Sequence, residues 1–122
     1  MEPVWDVVVV GAGNAALCAA LAARERGAEV IVLEAAPMEQ RGGNSRYTGG
    51  IVRMVYNGVE DLEALLDDLT EEEKARTDFG RYTVEDFFDD MGRITSYRTN
   101  PDLAEVMITG SLDAYKWLKG KG

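Results

Sequence analysis

The stretch "VWDVVVVGAGNAALCAALAARERGAEVIVLE", Val4–Glu34, decides the fold. Val4–Val10 is a nearly continuous β-branched run, the composition of a parallel strand covered on both faces. It stops at Gly11. Asn14–Arg26 contains only tolerable or good helix formers, with alanine the commonest. Arg24 and Arg26 fall in its last turn, where cations complement the helix dipole, and Gly27 follows as a stop. Glu29–Glu34 is a second strand of the buried type. Strand, glycine turn, helix, glycine, strand is a βαβ unit.

The turn itself reads Gly11-x-Gly13-x-x-Ala16. Gly11 permits the tight turn. Gly13 has no Cβ, so a pyrophosphate can approach the backbone, and the small side chain of Ala16 lets helix and strand pack closely. Asn14 and Ala15 open the helix, whose N-terminal N–H groups and positive partial charge favour phosphate. Glu34 lies 23 residues after Gly11, at the end of the second strand. A carboxylate there accepts hydrogen bonds from both hydroxyls of an adenosine ribose and repels a 2′-phosphate. The plainer alternative for Glu34 is a solvated strand-end acid.

A second cluster, "QRGGNSRYTGG", follows at Gln40–Gly50 and packs four glycines into eleven residues. One phosphate loop does not require another. An NAD site leaves the second cluster without a role. An FAD explains it, because its longer body runs from the adenosine through the pyrophosphate to the flavin. Gly42, Gly43, Asn44 and Ser45 then lie along the pyrophosphate and ribityl chain. Thr48, Gly49 and Gly50 bring backbone donors to the ring, where they stabilise negative charge on a reduced flavin. The alternative is a flexible surface loop.

Outward from these motifs the pattern changes. Residues 35–59 show no periodicity and read as loop, with a short extended piece at Ile51–Val55. Leu62, Leu65, Leu66 and Leu69 recur at helical spacing, and "TEEE" at Thr70–Glu73 is a capping box that starts a separate turn. Thr83 caps a helix with Val84, Phe87, Phe88, Met91 and Ile94 on one stripe. Asn100 caps another, with Pro101 at its first position, running to about Leu118. The expected class is α/β: a Rossmann-like FAD/NAD(P)-binding fold in which a βαβ unit and cofactor loops (1–59) precede a mainly helical part (60–122). Two strands do not make a stable doubly wound sheet. The expectation is therefore the N-terminal part of a longer FAD-binding domain, with the sheet incomplete.

Bulk properties narrow the function. The net charge is −9, and residues 60–90 carry 3 basic and 13 acidic groups. Such a chain is a poor partner for nucleic acid or anionic membrane, and the acidic block reads as solvated helical faces, with a protein-docking patch as the alternative. There is no histidine and one cysteine, Cys18. That removes histidine-based metal sites, Ser-His-Asp triads and internal disulfides, and no metal is expected. Cys18 sits among alanines as a small apolar residue. The lone thiol fits a reducing compartment, and the N-terminus lacks both a secretory pattern and a span-length apolar run, so the expected location is the cytoplasm.

"DVVVVGAGNAALCAALAARERGAEVIVLEAAP" followed by "RGGNSRYTGG" resembles the N-terminal segment of the fumarate reductase and succinate dehydrogenase flavoprotein family, and within it the tricarballylate-oxidising branch. The stretch "NPDLAEVMITGSLDAYKWLKGKG" is similar to that family's helix before its next strand. The resemblance implies an FAD-dependent dehydrogenase of a small polycarboxylate, tricarballylate to cis-aconitate. It implies Gly11, Gly13, Asn14, Ala15 and Ala16 at the FAD pyrophosphate, and Glu34 and Ala35 at the adenosine ribose. Gly42–Ser45 and Thr48–Gly50 line the rest of the cofactor. Gly43 stands where membrane-bound members attach FAD to a histidine, so FAD here is expected to be non-covalent. The family's substrate-clamping and proton-transfer residues belong to later segments. No catalytic residue is assigned, and Arg41, Arg46 and Arg53 read as solvated or phosphate-neighbouring. The electron acceptor is left open.

Overall fold

The computed structural model describes residues 3–121. The outermost positions of the expected domain, Met1, Glu2 and Gly122, lie outside the described residues. The chain divides into two compact units, Met1–Ile51 and Val52–Gly122.

The first unit is the βαβ motif. Strand β1 (Val7–Val10) pairs in parallel with β2 (Val30–Leu33), in the register Val7↔Val30 to Val10↔Leu33, and helix α1 (Asn14–Glu25) connects them and packs on both. Both strands are shorter than expected. Pairing begins where the Asp6 N–H donates to the Glu29 carbonyl at 2.9 Å and the Asp6 carboxylate accepts from the Glu29 N–H at 2.8 Å. Among the described residues no strand lies opposite Val4 and Trp5, so their β propensity goes unused. Along β1, Val7 and Val9 are half-buried, while Val8 is 54% and Val10 83% exposed. Gly27, at φ 85°, ends the helix by a left-handed turn as its position implied. Beyond β2 the chain forms two 3₁₀ turns, Met38–Gln40 and Gly43–Tyr47.

The second unit is helical: α2 (Val59–Glu63), α3 (Glu71–Arg76), α4 (Val84–Thr95), α5 (Pro101–Thr109) and α6 (Ser111–Lys119). Its core is Phe87, Ala104 and Ile108, with Val55, Tyr82, Val84, Phe88 and Met91 packed around them. The capping box expected at Thr70 is present, and the cap expected at Thr83 is a capping box as well. Thr70 and Thr83 each accept from the N–H three residues on, and Glu73 and Asp86 reach back to them. Asn100 caps α5 with Pro101 at its start.

Ile51–Val55 is loop with no paired strand, and Tyr56 after it forms an isolated bridge with Tyr82. Two expectations need correction. The leucine run yields just the short α2, because the Leu65 and Leu66 N–H groups both turn onto the Leu62 carbonyl. The helix expected over 100–118 is two. The Ser111 hydroxyl donates to the Ile108 carbonyl at 2.8 Å, occupying the acceptor at the Gly110 junction. Among the described residues, no helix is long and apolar enough to cross a membrane.

Candidate functional site: two glycine loops on one helix terminus

The first turn leaves β1 at Gly11, whose φ of 101° lies in the left-handed region that a side chain disfavours. Its N–H donates to the Leu33 carbonyl at 2.6 Å, so the turn is fastened to the end of β2. Gly13 is extended and α1 begins at Asn14. The Leu17 N–H is the first to close an α-helical hydrogen bond, onto the Gly13 carbonyl. The Ala15 and Ala16 N–H groups have no acceptor among the described residues. They are the orphan donors of a twelve-residue helix.

Glu34 sits opposite. One carboxylate oxygen accepts from the Ala12 N–H at 3.0 Å and the other from the Ala36 N–H at 2.9 Å. The Ala36 amide, followed by those of Ala12, Gly42 and Ala35, holds this carboxyl below its ordinary range against a smaller opposing effect of desolvation.

The second loop comes back to the first. The Ser45 hydroxyl accepts from the Asn14 N–H at 2.9 Å. Gly42, at φ 104°, turns the chain so that its carbonyl accepts from the Ser45 N–H at 3.1 Å. A Cβ on Gly13 would lie 3.4 Å from that carbonyl and 3.5 Å from Ser45 Oγ. Gly11, Gly13, Asn14, Glu34, Gly42 and Ser45 are thus joined by contacts around one helix terminus. Thr48, Gly49 and Gly50 are not part of it. Thr48 Oγ1 donates to the Ser45 carbonyl at 3.0 Å and accepts from the Gly50 N–H at 3.3 Å, which closes the far end of the loop on itself. Asn44 is exposed.

Ala12 and Ala36 were absent from the sequence-derived set. Both contribute backbone N–H groups, and an alanine side chain gives no signal of that. The donor set fits a diphosphate: unsatisfied amides at a helix N-terminus, beside a glycine with no side chain over them.

Arg53 is solvent-exposed, as expected, and it is also paired. In the second unit it donates to Asp90 and, at 2.8 Å, to the Tyr82 hydroxyl, and it lies 5.3 Å from the Tyr82 ring centroid. Arg93, Tyr82 and Arg53 together lower the Asp90 carboxyl to about 2. The Tyr82 hydroxyl is pushed above its ordinary value, chiefly by burial and also by Asp90. These groups border an open pocket of about 350 Å³.

Known proteins match this chain over nearly its whole length. Urocanate reductase of Eggerthella lenta is 32% identical over 113 residues, covering 93% of this chain and 16% of that protein. Fumarate reductase (cytochrome) of Shewanella frigidimarina is 30% identical over 117 residues, covering 96% and 18%. Digoxin reductase of Eggerthella lenta is 33% identical over 117 residues, again covering 96% and 18%. The chain therefore spans less than a fifth of the length of these relatives. No solved structure matches it. The FAD binding domain family matches residues 6–122, which decides between the two dinucleotides: the chain belongs to that family, and its cofactor is FAD.

Proposed function

We propose that this chain is the FAD-holding segment of a longer flavin-dependent oxidoreductase that acts on a small polycarboxylate. Tricarballylate, oxidised to cis-aconitate, is the specific substrate proposed. The observation that carries the cofactor role is the 2.9 Å bond from the Asn14 N–H to Ser45 Oγ, which brings the second glycine loop onto the helix terminus of the first. Relatives named for urocanate, fumarate and digoxin match the same region. A segment shared across such different substrates serves what they have in common, which is the cofactor. The exposed face of the short sheet, with Val8 and Val10, supports a larger domain, since parallel sheets are ordinarily covered on both sides.

In this reading the Ala15 and Ala16 amides, next to Gly11 and Gly13, take the pyrophosphate. Glu34 takes the adenosine ribose, with Ala35 beside it. Gly42, Gly43, Asn44 and Ser45 follow the pyrophosphate and ribityl chain, and Thr48, Gly49 and Gly50 approach the ring. With no histidine in the chain to form the covalent link, FAD is held non-covalently. When bound, FAD would supply the two-electron acceptor for a hydride leaving one substrate carbon, while the neighbouring carbon loses a proton and the C–C bond between them becomes a double bond. This chain's part is to bind and orient it and to hold a carboxylate at the ribose. A reducing location, the cytoplasm, goes with the single thiol.

Titration with FAD tests the site. Glu34→Ala should weaken binding by about 1–3 kcal/mol, the usual cost of leaving polar groups without partners. Unchanged affinity would remove Glu34 from the ribose. For the reaction, the full-length protein should bleach an electron-accepting dye with tricarballylate. Fumarate reduction by reduced viologen without tricarballylate turnover would overturn the choice of substrate.

A further inference from the structure

Helix α1 has no cap of its own, because Gly13 occupies the N-cap position and offers no side chain. The cap comes from 31 residues further along the chain. The Asn14 N–H, the first of the helix, donates to Ser45 Oγ. Ser45 is held for this by its own N–H on the Gly42 carbonyl, inside the 3₁₀ turn Gly43–Tyr47. A hydroxyl carries one proton and two lone pairs. Here one lone pair takes the Asn14 N–H, and the proton has no acceptor among the described residues.

We propose that Ser45 is a positioning residue that couples the two glycine loops. It caps α1 in trans, and its unused proton is donated to a diphosphate seated at the Ala15 and Ala16 amides. The second half of this rests on the cofactor reading above. The first half holds for the protein without cofactor. Folding of the second loop onto the helix terminus and completion of the phosphate site are then one event. Removing the hydroxyl loses the cap, the anion contact and the anchor of the loop together.

The coupling is measurable because its donor can be deleted. Asn14→Pro removes the N–H at the first helical position, where proline is tolerated. Gly13, at φ −79° and ψ 176°, already has the extended backbone that a residue before proline requires. Asn14→Ala is the control that loses the side chain and keeps the N–H. Ser45→Ala is introduced into both backgrounds, and FAD affinity and the melting temperature of the FAD-free protein are recorded. In the Asn14→Ala background, Ser45→Ala should raise the FAD Kd about tenfold and lower the melting temperature by a few degrees, in keeping with a lost cap. In the Asn14→Pro background the fall in melting temperature should nearly vanish, and the rise in Kd should shrink. Equal costs in both backgrounds, in the FAD-free protein, would overturn the coupling. If FAD bound to no form of the protein while the melting temperatures still coupled, the cofactor reading would fail and the trans cap would stand. Should Asn14→Pro fail to fold, amide exchange of Asn14 decides. It should accelerate in Ser45→Ala and stay slow in Ser45→Thr, which keeps the hydroxyl; equal exchange in the two overturns the proposal.

Discussion

The two units of the chain are held together by different means. In Val52–Gly122, side chains do the holding. Ile108 is fully buried against Phe87 and Ala104, and Arg53, Tyr82, Asp90 and Arg93 form a bonded cluster outside that core. In Met1–Ile51 Ala20 alone is buried among the described residues, and the distinctive bonds use backbone: amides onto Glu34, amide onto Ser45, Gly11 onto Leu33. The difference follows from what each unit presents. A phosphate site needs N–H groups pointing outward with little side chain above them, so the residues that build it are too small to build a core. The second unit holds all three phenylalanines of the chain, and it packs around one of them, Phe87.

This contrast predicts where substitutions act. The largest effect expected is on cofactor binding, at Gly13. Its Cβ position already sits at contact distance from Gly42 and Ser45, so the larger side chain of valine should push the second loop off the helix terminus. Gly13→Val should cost at least about a hundredfold in FAD affinity while leaving the second unit's helices and aromatic signals intact. Flavin content equal to wild type would break the assignment of the loop. Next comes Ile108→Ala, which should destabilise the second unit by about 2–5 kcal/mol through a cavity beside Phe87. Chemical denaturation followed by near-ultraviolet circular dichroism measures it, and a loss under 1 kcal/mol would mean that the unit is not organised around that residue.

The smallest effect is that of pH. Asp90 is lowered in the folded state to about 2 from an ordinary 3.8, by Arg93 first and then Tyr82 and Arg53. A depressed carboxyl stabilises the fold above its unfolded value and loses that contribution as pH falls through its folded one. The cluster should therefore weaken between about pH 4 and pH 2. The near-ultraviolet signal of the tyrosines reports this, and Asp90→Asn should flatten the transition in that window. An identical acid profile for the variant would show that other carboxyls govern it. Glu34 is also depressed, so FAD affinity should fall in acid as well, from the other unit and by a different group.

How much was legible in advance depended on range. The βαβ order, the Thr70 capping box, the Thr83 cap and the Asn100–Pro101 helix start were readable because each is decided within a few residues. The glycine spacing also sufficed to mark the loops, and Glu34 was identified from its place at a strand end. Misreadings occurred where a local pattern met a competing bond. Helical periodicity continues through 100–118, but Ser111 takes the Ile108 carbonyl, and the bonds from the exposed Arg53 to Tyr82 and Asp90 link residues too far apart in sequence to be read in advance.

The sequence by itself determined that a strand, a glycine turn and a helix would offer amides to an anion, since backbone sterics at glycine and helix dipoles are local properties. Only the tertiary structure decided that Ser45 caps α1 from across the second loop and that Ala12 and Ala36 hold the Glu34 carboxylate. Those bonds depend on left-handed backbone at Gly11 and Gly42, which bends the chain back on itself. No side-chain pattern records where a backbone N–H will point after such a turn.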